Sequence, residues 1–155
     1  MKKKVKFQVG DIFLIPFEDG RFGAGRILKR DEATVFVELY KMKPLNDPSQ
    51  FDLNHIIANE AIAKMWCYDE GMLKGEWKVV GHKLVELPVI MPDFWKKSAY
   101  GKYYLIPGAD THEGDIDQMR EVQQEEIKNA SPYGIGYPGY VEKVYVKKLK
   151  EIDLF

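Results

Sequence analysis

The sequence predicts an α+β protein, a strongly curled and mostly antiparallel sheet followed by one or two C-terminal helices. Three observations lead there. Short apolar runs fill Gly10 to Met42, turn residues separate them, and the last third turns first acidic and then to helix-spaced apolar positions. The 155 residues, 45% of them hydrophobic, suffice for one well-cored domain, so 1–155 is expected to form a single domain.

The first element is Asp11 to Phe17. Ile12, Leu14 and Pro16 alternate with Phe13, Ile15 and Phe17, so both faces are apolar and the strand is expected to be buried. Glu18-Asp19-Gly20 closes it, and Asp-Gly supplies the positive φ of a tight hairpin into Arg21 to Arg30. Gly23 and Gly25 share one face of this second strand, where missing side chains permit a bulge, a sharp coil or close approach of another backbone. Asp31-Glu32 turns the chain into Ala33 to Met42, rich in β-branched and aromatic residues. A meander over 1–43 with such short turns suggests curling into something similar to an SH3-like small barrel.

Pro44 to Asp52 reads as a loop, after which Asp52 caps a short helix through His55, Ile56 and Ile57. Ile62 to Tyr68 is a strand, Asp69 to Gly75 a helical turn or loop, and Trp77 to Val85 a further strand. Pro88 and Pro92 bracket an extended crossing, and Lys102 to Ile106 is the last clear strand. Residues 107–155 then add an acidic helix and a closing helix to the same core. Asp115 and Gln118 have capping-box spacing for a helix ending near Ala130 at Ser131-Pro132. Its stripe of Ile116, Met119, Val122 and Ile127 is thin, so it is expected at the surface. Pro138 suits the first turn of a helix with Val141, Val144, Tyr145, Leu149 and Ile152 inward, although Val144-Tyr145-Val146 also suits a strand.

Charge and cysteine content narrow the function classes. Lys plus Arg total 23 against 24 for Asp plus Glu, which gives no reason to expect a general nucleic-acid or membrane binder. The basic start at Lys2, Lys3, Lys4 and Lys6 has no apolar run behind it, so neither a signal peptide nor a membrane span is expected. One cysteine, Cys67, precludes an internal disulfide and suits a reducing cytoplasm.

No catalytic constellation is evident. His55, His82 and His112 have no nucleophile marked out beside them, and Cys67 between Trp66 and Tyr68 suits an inert buried thiol. The glycines do not form a phosphate loop. Asp110, His112, Glu113, Asp115 and Asp117 cluster enough oxygen and nitrogen to raise a metal, but they lack the calcium-loop pattern and zinc spacing, and a solvated acidic loop is the better reading. No cofactor or metal is expected.

The candidate partner-binding residues are Asp110, Glu113, Asp115, Asp117, Glu121 and Glu125 on the acidic stretch, with Tyr133, Tyr137 and Tyr140 in the Gly-rich loop behind it. Tyrosine is an amphipathic anchor common at protein interfaces, although these rings also have the option of folding onto the core.

Gly10 to Phe17, the Asp19-Gly20-Arg21-Phe22-Gly23 turn, Gly25-Arg26-Ile27-Leu28 and the later Gly75 to His82 resemble immunity protein 26, a family of bacterial polymorphic toxin systems. The final third carries no motif of that family. The resemblance implies a non-enzymatic, cytoplasmic antidote that binds and blocks a cognate toxin domain, and it brings no catalytic residues. Two rivals stand beside it: an SH3-like module taking nucleic acid or peptide through Arg21, Arg26, Lys29 and Arg30, and a small hydrolase using His112.

Overall fold

A computed structural model describes residues 4–57 and 60–155. Lys2 and Lys3 of the basic start lie outside the described residues; Lys4 and Lys6 are exposed. The chain divides into two compact units, Met1–Leu87 with Gly136–Phe155, and Pro88–Ile135.

The first unit is built on the expected meander. Strands β1 (Asp11–Pro16), β2 (Phe22–Asp31) and β3 (Thr34–Tyr40) pair antiparallel through turns at Gly20, where φ is +87°, and at Glu32, where it is +53°. A short helix, α1 (Leu53–Ile57), follows; Asp52 Oδ1 accepts from the Asn54 N–H at 3.1 Å and so caps it as expected. Next come β4 (Ala61–Tyr68), the single turn α2 (Glu70–Leu73) and β5 (Lys78–His82). The sheet contains the run β4-β3-β2-β1-β5, with β5 at its edge.

That order overturns the strongly curled barrel. Among the described residues no sheet is closed or strongly curled: β5 pairs with β1 and not with the far side of the meander. The reason lies in the two apolar faces of β1. A barrel shelters one face inside itself, whereas an open sheet buries both when each has its own cover. On one face Phe13, Ile15, Val37, Leu39 and Met65 pack with Val141, Tyr145 and Leu149 of the C-terminal helix α3 (Pro138–Glu151). On the other Leu14, Ala24, Tyr40, Met42 and Ile56 form a second cluster, joined by Phe51 and Val80.

Helix α3 settles the helix-or-strand ambiguity, with Pro138 in its first turn as expected. Its buried residues Val141, Tyr145 and Leu149 recur every four positions, a single narrow stripe. Tyr145 does more than fill space. Its hydroxyl donates to the Tyr40 carbonyl at 2.5 Å and reaches the Ala24 carbonyl at 3.2 Å, one step past the last β2–β3 pair, Gly25 with Leu39. The phenol thus takes over two carbonyls where the ladder stops. Gly23 makes room for it, since a Cβ there would lie 2.5 Å from Tyr145 Cε2 and 2.7 Å from Phe17 Cζ. What approaches Gly23 is thus a helix side chain and not the backbone expected there, whereas at Gly25 a Cβ would lie 2.5 Å from the Glu38 carbonyl oxygen of the neighbouring strand.

One charged pair is largely buried on the opposite face. Arg26 Nη2 lies 2.9 Å from Glu38 Oε1, which also accepts from the Tyr40 hydroxyl at 3.0 Å. Trp77 stacks on Phe13 with centroids 5.2 Å apart, and Trp66 is buried beside Phe36.

The second unit holds a small sheet in the order β8-β7-β6-β9: β6 (Phe94–Lys97), β7 (Tyr103–Ile106), β8 (Arg120–Val122) and β9 (Ser131–Pro132). The acidic helix expected from Asp115 to Ala130 is not formed. Two 3-10 turns, Ile116–Gln118 and Gln124–Ile127, flank β8, which pairs with β7 through Glu121 and Tyr104. Strand pairing wins because the helical stripe was too thin to pack: Val122 is buried, but Ile116 and Met119 stay exposed.

Candidate functional site

The acidic residues and Tyr133 stand on the second unit, Tyr137 and Tyr140 on the first. Asp110, Glu113, Asp115, Asp117, Glu121 and Glu125 are exposed residues of the second unit. They are spread over a loop, two 3-10 turns and β8 instead of one helix face. Asp115 makes no cap hydrogen bond; the box forms further on, where Glu126 Oε2 accepts from the Gln123 N–H at 2.6 Å. Glu121 lies 3.5 Å from Lys102 Nζ, both ends exposed, an ion pair of little energetic weight. Tyr133 is half-buried under Lys96, whose Nζ sits 5.3 Å from the ring centroid.

Tyr137 and Tyr140 belong to the first unit, at the start of α3. Tyr137 is 64% exposed and Tyr140 45%, so neither is folded onto the core. The Tyr137 ring lies 4.9 Å from that of Tyr68 at the end of β4, which holds a pair of aromatic faces at the surface.

The basic set of the rival module is engaged within the protein. Arg21 pairs with Asp19 at 2.8 Å, Arg26 with Glu38, and Arg30 donates to the Phe7 carbonyl at 3.1 Å while lying over the Phe7 ring. Lys29 has a partner as well. Cys67 is fully buried, and burial, helped by the negative charge of Asp69, pushes its thiol well above the usual range, the reverse of an activated nucleophile. Among the described residues no group of three or more His, Cys, Asp or Glu is placed to hold a metal ion, and no helix is long and apolar enough to cross a membrane.

Three features had no signal in the pattern of residues. His82 Nδ1 lies 2.9 Å from Asp11 Oδ1 across 71 positions of sequence, and Asp11, buried, also accepts from the Gln8 N–H. An open cleft of about 380 Å³ is floored by Met42, Leu45 and Ile56 and rimmed by Asn46, Gln50 and Asp52. Leu84 and Leu87, which a strand pattern would place in or near a core, are 81% and 84% exposed.

The described residues define a protein of the α+β class, with two sheets and a C-terminal helix, that carries aromatic, apolar and acidic side chains on its surface. The family model of Immunity protein 26 matches residues 8–105, more than half of the chain, and the protein belongs to that family. No curated protein and no solved structure matches it.

Proposed function

We propose that this protein neutralises a cognate bacterial toxin domain by binding it, with no catalysis of its own, in the cytoplasm of the cell that makes it. The match to Immunity protein 26 over 8–105 is the observation that carries this reading. The internal engagement of Arg21, Arg26 and Arg30 supports it over a nucleic-acid module. The acidic surface of the second unit suits a basic partner, such as an active site that grips phosphates, and opposite charge would speed capture. Tyr133, Tyr137 and Tyr140 would then serve as aromatic contacts.

The test is co-expression of this protein with the C-terminal domain encoded by the adjacent large open reading frame. Survival restored by the protein, with a complex that co-purifies, is the expected result; a toxic neighbour that it fails to rescue overturns the reading. Replacing Asp115, Asp117, Glu121 and Glu125 together with serine should weaken binding roughly tenfold or more, mainly through the association rate, and flatten its salt dependence. Unchanged affinity would remove the acidic surface from the interface.

A further inference from the structure

We propose that the outer edge of β5 and the chain that continues it, 78–87, form a strand-addition site at which an extended segment of the toxin domain pairs main chain to main chain. This rests on the neutralisation reading and names its contact. The whole stretch lies in the first unit and inside the family-matched 8–105, whereas Asp110 to Glu125 and the three tyrosines lie outside that match.

The edge comes first. Among the described residues β5 is paired with β1 alone, so its other side presents main-chain donors and acceptors with no described strand against them. The chain then runs on past His82 without helix or strand, and Leu84 and Leu87 stand 81% and 84% exposed. Main-chain pairing supplies affinity in such a site, and apolar side chains beside it supply selectivity.

Charge decides between a partner and a second copy. Lys78 at the start of β5 and Lys83 just past its end are exposed and form no ion pair among the described residues. Two copies meeting antiparallel along this edge would bring Lys78 of one towards Lys83 of the other, and like charges across a strand pair are destabilising. A foreign strand that is apolar in its middle and acidic at its ends meets no such penalty. The occupant is therefore an apolar, acid-flanked segment of the toxin domain.

His82 is built into the same edge. Its Nδ1 lies 2.9 Å from Oδ1 of the buried Asp11, which fixes the ring against β1, and the side chain is 43% exposed. The neighbouring backbone fits that ring closely: a Cβ on Gly10, whose φ is +95°, would lie 2.6 Å from His82 Cε1.

Two measurements on the full chain with the neighbouring toxin domain test this. Amide hydrogen exchange of the wild-type protein, free and in complex, should show the amides of 78–87 slowed at least about tenfold by the toxin; a complex without that protection overturns the proposal. The double variant Leu84→Glu, Leu87→Glu should bind at least about tenfold more weakly with an unchanged unfolding midpoint, since both side chains are in solvent in the free protein. Full rescue by wild type with binding unaltered in the variant overturns the strand-addition site and leaves the neutralisation reading standing. A wild-type protein that neither binds nor rescues overturns both. Protection of the same amides in the protein alone, with the mass of a dimer, would assign the edge to a second copy and likewise overturn the proposal.

Discussion

Tyr145→Ala is expected to lower the free energy of unfolding by about 3–5 kcal/mol, and Tyr145→Phe by about 1–3 kcal/mol. The alanine variant loses a fully buried ring that meets Phe17 edge-on at 5.5 Å and fills the space opposite Gly23. A cavity between helix and sheet would remain, because the sheet backbone that borders it is tied into its ladder and cannot collapse far. The phenylalanine variant keeps the ring and isolates the hydroxyl. Without it the Tyr40 and Ala24 carbonyls lose a donor in a place where the β2–β3 ladder has already ended. Chemical denaturation of the three proteins separates the two parts. A phenylalanine variant as stable as wild type would show that the ring alone fixes α3 and that the carbonyls find other donors.

How much of this was legible in the sequence depends on whether an element is determined locally. The β1–β3 meander was, because Asp19-Gly20 and Asp31-Glu32 carry their turn chemistry in two residues each. Helix α3 was half legible. Pro138 and the spacing of Val141, Tyr145 and Leu149 favoured a helix, and the β-prone Val144-Tyr145-Val146 held the alternative open until packing decided. The curl of the sheet was not legible at all. Apolar residues on both faces of β1 say that both are covered, but not whether by closure or by a layer on each side. The segment from Asp115 to Ala130 failed for the same reason in reverse. Its capping signals were local, while the β7 partner that claimed Arg120–Val122 is distant in sequence.

The candidate site divides in the same way. Acidic residues announce their charge, and the structure leaves them at the surface, so that part of the reading kept its location and lost its helix. Leu84 and Leu87 announce only hydrophobicity. Nothing in Lys83-Leu84-Val85-Glu86-Leu87 distinguishes a strand packed on a core from an extended chain in solvent. Asp11 and His82 are ordinary until β5 lies against β1, and pairing at a separation of 71 residues leaves no trace in either neighbourhood.

Alkaline instability is the second large effect expected. Burial pushes the Cys67 thiol and the Tyr40 and Tyr145 phenols well above their usual ranges, with the Asp69 and Glu38 charges adding to the rise at Cys67 and Tyr40. These groups keep their protons in the folded protein at pH values where the unfolded chain gives them up. The unfolded state then binds fewer protons, so stability is fully present below about pH 8 and falls as pH rises through the unfolded values, about 8.5 for the thiol and 10 for the phenols. Each group costs about 1.4 kcal/mol per pH unit beyond its own unfolded value, and together they amount to about 4 kcal/mol at pH 10.5. That is a large share of the stability of an ordinary domain, about 5–15 kcal/mol. Urea unfolding at intervals between pH 7.5 and 10.5 would measure the fall, and the thiol has its own window below about pH 9, where tyrosines scarcely titrate. Cys67→Ala should remove most of the slope between about pH 8 and 9 while leaving the loss due to the phenols above it. The same slope in both proteins would mean that another group titrates there, and that the buried thiol opens to solvent before the fold does.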